Sequence, residues 1–168
     1  MSRAQDEFNG FVEELGEPLM RTVYLIVRDS AAAEDIVQET LLRIARRWPR
    51  VRRMTHRMAY ARRIAVNLAL NEHKIRAREG AVLERQRGEA NGTCVDETSR
   101  AHDHADLIAA LSALSPRARA VIVLRYYGDL SEAQVAETLG CSVGTVKTTA
   151  WRALEALRKQ GVDTYAAR

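Results

Sequence analysis

Near its C-terminal end the chain places Thr145, Lys147, Thr148, Thr149 and Arg152 within two helical turns, with no carboxylate before Glu155. At helical spacing Thr145, Thr148 and Arg152 fall together, with Lys147 and Thr149 on the flanks, opposite an apolar stripe of Val146, Ala150, Ala153, Leu154 and Leu157. Hydroxyls, an ammonium and a guanidinium on an acid-free face suit phosphate oxygens and base edges. That chemistry is non-covalent readout of DNA. A second set lies upstream. Arg63, Asn67 and Lys74 form a stripe with Arg62, Arg76 and Arg78 nearby, following the charged segment PRVRRMTHR that carries Arg52, Arg53 and His56. Cations with an interleaved amide suit a nucleic-acid backbone and pockets for unstacked bases. A third set, Asp35, Gln38 and Glu39 with Leu42 among them, shares the face opposite Ile36, Val37, Leu41, Ile44 and Trp48. An exposed leucine is ordinary by itself; ringed by polar groups it can also anchor a protein partner. Both readings stay open on the residues alone.

Catalytic chemistry finds little support. There is no glycine-rich phosphate loop and no nucleophile–base pair. His102-Asp103-His104 is the one metal-like cluster, and adjacent ligands in a polar stretch are poor metal geometry. No enzyme activity, metal or cofactor is expected. Cys94 and Cys141 stand far apart, so no disulfide framework is indicated.

The elements that must position these residues read as helices throughout. Residues 5–28 give one or two helices with a bend expected near Gly16–Pro18. Asp29 or Ser30 caps AAAEDIVQETLLRIARRW, which stops before Pro49. Pro49–Arg57 is expected as a loop too charged to bury. A long helix follows, about Met58 to Arg78, packed through Tyr60, Ala61, Ile64, Ala65 and Leu68. Residues 79–102 lose periodicity and read as a flexible linker. Order resumes at Asp103, and Ser115-Pro116 opens a further helix. In LSEAQVAETLGCSVGTVKTTAWRALEAL, Ser131 with Gln134 forms a capping box, Gly140 closes one helix and Ser142 caps the next. A short helix, a glycine turn and a second helix make a helix-turn-helix, whose second helix enters the DNA major groove.

Composition agrees. Aromatics are 5% of the chain and no apolar run approaches a membrane span, so a soluble, cytoplasmic chain without a secretory leader is expected. The net charge of +4 conceals segregation: residues 1–49 carry six Lys/Arg against nine Asp/Glu, whereas residues 50–78 carry nine against one. A basic block between acidic ones points to a localised nucleic-acid surface.

The stretches AAAEDIVQETLLRIARRW, AYARRIAVNLALNEHKIRAR and ALSALSPRARAVIVLRYYGDLSEAQVAETLGCSVGTVKTTAWRALEALR resemble, in order, those of extracytoplasmic-function (ECF) sigma factors. Within these, LRYYGDLSEAQVAETLGCSVGTVK is most similar to the actinobacterial SigE-like group. The resemblance implies an all-α chain of two small helical domains. A sigma-2-like domain would span 1–78, a linker 79–102, a sigma-4-like helix-turn-helix domain 103–160 and a tail 161–168. It also implies partners: core RNA polymerase through the β′ clamp helices and the β flap, promoter DNA, and an anti-sigma factor, with no membrane insertion. By the same resemblance Asp35, Gln38, Glu39 and Leu42 would dock on polymerase. Arg52, Arg53, His56, Arg62, Arg63, Asn67 and Lys74 would melt and hold the minus-10 element. Ser142, Val143, Gly144, Thr145, Lys147, Thr148, Thr149 and Arg152 would read the minus-35 element. The chain departs from the family pattern at Thr148-Thr149, often Ser-Arg, and at Trp151, commonly small or polar. Two other classes compete. A dimeric helix-turn-helix repressor would leave the 50–78 block and the Leu42 face without a role, and a helical adaptor would not need an acid-free face.

Overall fold

The computed structural model describes residues 3–86 and 108–160, all helices and their connections, with no strand among the described residues. Helix α1 spans Arg3–Val27, α2 Ser30–Arg46, α3 Trp48–Val51 and α4 Arg57–Gln86. After a helical stretch at 108–112 come α5 (Pro116–Ile122, continued as a π turn over Val123–Tyr127), α6 (Glu132–Leu139) and α7 (Val143–Lys159).

The core follows from helical periodicity. Phe11, Leu15, Leu19, Val23 and Ile26 are buried along one side of α1. Pro18 lies inside that helix, and the expected bend does not divide it. The N–H that proline lacks leaves the Glu14 carbonyl without its helical donor; both residues are exposed, so water can supply one. Asp29 is the cap of α2: its carboxylate accepts from the Ala32 N–H at 2.9 Å and pairs with Arg76 of α4 at 3.0 Å. The amide and then Arg76 hold this carboxyl below the usual carboxylate range. Ala61, Ala65, Val66 and Ala69 of α4 are wholly buried, and their small size lets α4 pack closely on α1 and α2. Tyr60, Ile64 and Leu68, expected in that stripe, are only partly buried at its edge.

Two expectations need correction. The segment after Trp48 does not begin as a loop. Proline is tolerated in a first helical turn, so Trp48–Val51 forms α3, and Val51 is fully buried. The Trp48 indole donates to the Ala4 carbonyl at 3.0 Å and meets the Phe8 ring edge-on at 5.1 Å. Arg52 to His56 remain exposed apart from the partly buried Met54. Secondly, α4 continues past Arg78 to Gln86, eight residues into the stretch read as linker. Ala, Leu, Glu, Arg and Gln there are strong helix formers, and Gly80 alone does not stop them. The rest of that stretch, with Cys94 and His102-Asp103-His104, lies outside the described residues.

The N- and C-terminal helices pack on one another. α1 meets α5 and the π turn, and α4 meets α6. Arg119 on α5, 6% exposed, joins the halves. Its guanidinium donates to the carbonyls of Leu111 at 2.7 Å, Leu114 at 3.0 Å and, across the interface, Ile26 at 2.8 Å. Burial and the neighbouring Arg28 push its pKa down to about 10, so it stays charged at neutral pH. The π turn closes through the Gly128 N–H on the Val123 carbonyl, and a Cβ at Gly128 would lie 3.0 Å from the Leu124 carbonyl oxygen.

Candidate nucleic-acid interface

Local rules build the helix-turn-helix. Ser131 Oγ accepts from the Gln134 N–H at 3.2 Å and Gln134 Oε1 accepts from the Ser131 N–H at 2.8 Å, the complete capping box. Gly140 ends α6 at φ +61°, the left-handed conformation glycine adopts without penalty. Ser142 then caps α7 through the Thr145 N–H at 3.1 Å. Val146, Ala150, Ala153 and Leu157 are buried, which turns the opposite side of α7 outward.

On that outward side Ser142, Val143, Gly144, Thr145, Lys147, Thr148 and Arg152 are exposed, and Thr149 is half-buried at the edge. The structure therefore brings the expected reading residues together. Two hydroxyls are already engaged. Thr145 shares a hydrogen bond with Ser142 Oγ at 2.8 Å, and Thr148 donates to the Gly144 carbonyl at 3.0 Å, leaving its oxygen free to accept. The face is acid-free within α7 itself as far as Glu155, but a carboxylate reaches it from α6. Glu132, at the start of α6, comes within 3.6 Å of Lys147 Nζ. Two features were not assigned a role from sequence: this Glu132 contact, and Trp151, which stands 61% exposed on the same side.

The second surface is only partly as expected. Arg63, Asn67 and Lys74 are exposed on α4, and Arg53 and His56 are exposed before it. Arg52 pairs with Glu7 at 3.3 Å. Arg62 does not join the stripe. It is half-buried in a cleft lined by Leu15, Pro18, Met58 and Tyr127, and burial lowers its pKa. Arg76 is taken by Asp29 and Glu72. On α2, Asp35, Gln38 and Leu42 are exposed on one face with the half-buried Glu39, which binds Arg43 at 2.7 Å. Leu42 is 52% exposed, so it is not a core residue. No group of three or more potential metal ligands occurs among the described residues, and no helix there is long and apolar enough to cross a membrane.

The helical chain thus presents a helix-turn-helix in its C-terminal part and a separate basic helix surface in its N-terminal part. Residues 11–79 match the family model of sigma-70 region 2, and residues 104–157 that of sigma-70, region 4. The RNA polymerase sigma-E factor of Streptomyces avermitilis is 34% identical over 155 residues, covering 92% of this chain and 84% of the relative. The ECF RNA polymerase sigma factor SigL of Mycobacterium tuberculosis is 38% identical over 149 residues, covering 87% and 84%. Among solved structures, the sigma factor RpoE of Bartonella quintana, in complex with the anti-sigma factor NepR, superposes with a TM-score of 0.77. That match covers 93% of this chain and 98% of the other at 23% identity, a likeness of fold. The chain belongs to the sigma-70 type of RNA polymerase sigma factors, in their extracytoplasmic-function group. It is a promoter-recognition subunit that directs transcription initiation.

Proposed function

We propose that the three exposed faces divide the work of initiation. Asp35, Gln38, Glu39 and Leu42 dock on core polymerase at the β′ clamp helices. Arg52, Arg53, His56, Arg63, Asn67 and Lys74 melt and hold the minus-10 element. Ser142 to Thr145, Lys147 to Thr149 and Arg152 read the minus-35 duplex, with the C-terminal helices against the β flap. Arg62 belongs with the second group only if its cleft opens. In this reading the chain acts in the cytoplasm, performs no catalysis of its own, and is held off by an anti-sigma factor, as the Bartonella quintana protein is bound by NepR. The observation that carries it is the separation of two open cationic faces on different elements. One lies beside exposed amide and histidine side chains; the other crowns a capped helix-turn-helix.

The two DNA faces are distinguishable. Extruding a base costs a few kcal/mol, recovered through pocket and backbone contacts. Arg63→Ala and Asn67→Ala should impair open-complex formation on duplex promoters and be rescued by a pre-melted minus-10 region. Lys147→Ala and Arg152→Ala should weaken the closed complex, by about 1–3 kcal/mol for a contact that reads a base, and should not be rescued. Permanganate reactivity and footprinting on matched and bubble templates check both. Equal rescue of the two classes would overturn the division.

A further inference from the structure

Arg62 is half-buried, yet its side chain makes no hydrogen bond or ion pair among the described residues. Desolvation alone acts on it and lowers its pKa. A guanidinium drawn out of water without a partner is unfavourable and favours an incoming anion. Arg119, at the same seam between the halves, instead directs its donors to backbone carbonyls. The cleft that holds Arg62 measures about 460 Å³, within the range of small-ligand sites. Leu15, Pro18 and Leu19 of α1, Met58 of α4 and Tyr127 of the π turn line it. Leu15 and Leu19 are buried and Met58 partly so, which makes the interior around Arg62 mainly apolar. At the exposed rim Arg21 is already engaged, by the Tyr127 hydroxyl and by Glu17 at 2.6 Å. One unpaired cation therefore faces the cleft, and the Glu17 carboxylate at the rim repels a second negative charge. A nucleotide or polyphosphate would bring charges that no cation meets and polar edges against Leu15, Leu19 and Met58. The complementary occupant has a single anionic head on an apolar body.

We propose that this cleft is a small-molecule site for a monoanionic amphiphile, Arg62 holding its carboxylate and Leu15, Leu19 and Met58 its apolar body. Tyr127 and Gly128 come from the C-terminal half and the other lining residues from the N-terminal half, so the cleft is whole only while the halves are packed. An occupant therefore favours the packed form by mass action and withholds Arg62 from nucleic acid. The site itself is independent of how the DNA faces are assigned; its effect on promoter binding rests on that reading.

The test titrates the full chain with decanoate, below its micelle concentration, by calorimetry, and follows the methyl resonances by NMR. Decanoate should saturate one site and shift the methyls of Leu15, Leu19 and Met58. Arg62→Met keeps the apolar stem without the charge and should weaken decanoate at least about tenfold, the scale of a charged hydrogen bond. Arg62→Lys, which keeps the charge but not the fork, should fall between the two. 1-Decanol, with the body but no charge, should bind wild type and Arg62→Met equally and weakly. The proposal is overturned if decanoate does not bind, if Arg62→Met binds it as wild type does, or if 1-decanol binds as tightly. It is equally overturned if the shifted methyls lie elsewhere, as on Leu42 or Ile75. A second arm measures promoter binding by holoenzyme assembled from core RNA polymerase and the wild-type chain. Decanoate at ten times its dissociation constant should raise the promoter concentration needed for half-saturation about elevenfold. If decanoate binds through Arg62 and promoter binding does not change, the site stands, and its coupling to the DNA faces is what fails.

Discussion

Leu42 carries the sharpest information at the level of single residues. Its place on α2 leaves sequence reasoning between an idle exposed leucine and a partner anchor, and its 52% exposure removes the option of a core role. Truncation of a buried leucine costs about 2–5 kcal/mol, whereas a surface change away from special features stays within about 0.5 kcal/mol. Leu42→Arg should therefore leave helical content and thermal unfolding close to wild type and abolish co-elution with core RNA polymerase. Joint Gln38→Ala and Glu39→Ala should act in the same direction. A stably folded Leu42→Arg chain that assembles at wild-type affinity would remove α2 from the polymerase interface. Arg62 teaches the reverse lesson: one residue from Arg63 in sequence, it turns about 100° away and enters the cleft beside Tyr127.

Elements whose ends obey local rules were legible before any coordinates. The capping box of Ser131 and Gln134, the left-handed Gly140 and the Ser142 cap need only their own neighbours. For that reason the helix-turn-helix could be written from residues 130–157 alone. α3 could not, because its Trp48 is held by Ala4, Phe8 and Phe11 of α1, about forty residues away. Beyond Arg78 helix propensity outweighs a linker-like composition, and α4 runs on to Gln86. The same local rules set expected costs. Ser131→Ala removes one capping acceptor and should destabilise the fold by about 1 kcal/mol. Gly140→Ala meets no atom within 4 Å, so its penalty is conformational, roughly 1–2 kcal/mol. Thermal denaturation checks both. Gly140→Ala should also weaken upstream-element binding by holoenzyme, since Gly140 fixes the angle at which α7 leaves α6.

The arrangement of the whole chain was beyond sequence reasoning. The bond from Arg119 to the Ile26 carbonyl spans 93 positions, and no periodicity announces it. It has a consequence for promoter binding. Elements at minus-10 and minus-35 lie roughly 25 base pairs, or about 85 Å, apart along B-form DNA. A compact chain of this length has a radius of gyration of about 15 Å. The packed form therefore cannot hold both elements at once, and the α1–α5 and α4–α6 contacts must part when both are engaged. Fluorescent labels on α2 and α7 should show strong energy transfer in the free chain and lose it on forming holoenzyme with promoter DNA. Arg119→Lys, which cannot reproduce the guanidinium fork, should lower transfer in the free chain as well. Transfer that persists unchanged on promoter binding would show that the halves stay closed.

Trp48 and Trp151 are the chain's two tryptophans, one sealed against Phe8 and Phe11 and the other open to solvent. This contrast makes the protein its own optical reporter. Its emission should resolve into a blue component that iodide cannot reach and a red component that iodide quenches. Replacing Trp151 with phenylalanine should delete the red component alone. Titrating duplex DNA at low ionic strength should then shield the red component and leave the blue one untouched, so that an unlabelled chain signals occupancy of α7 by the colour of its light.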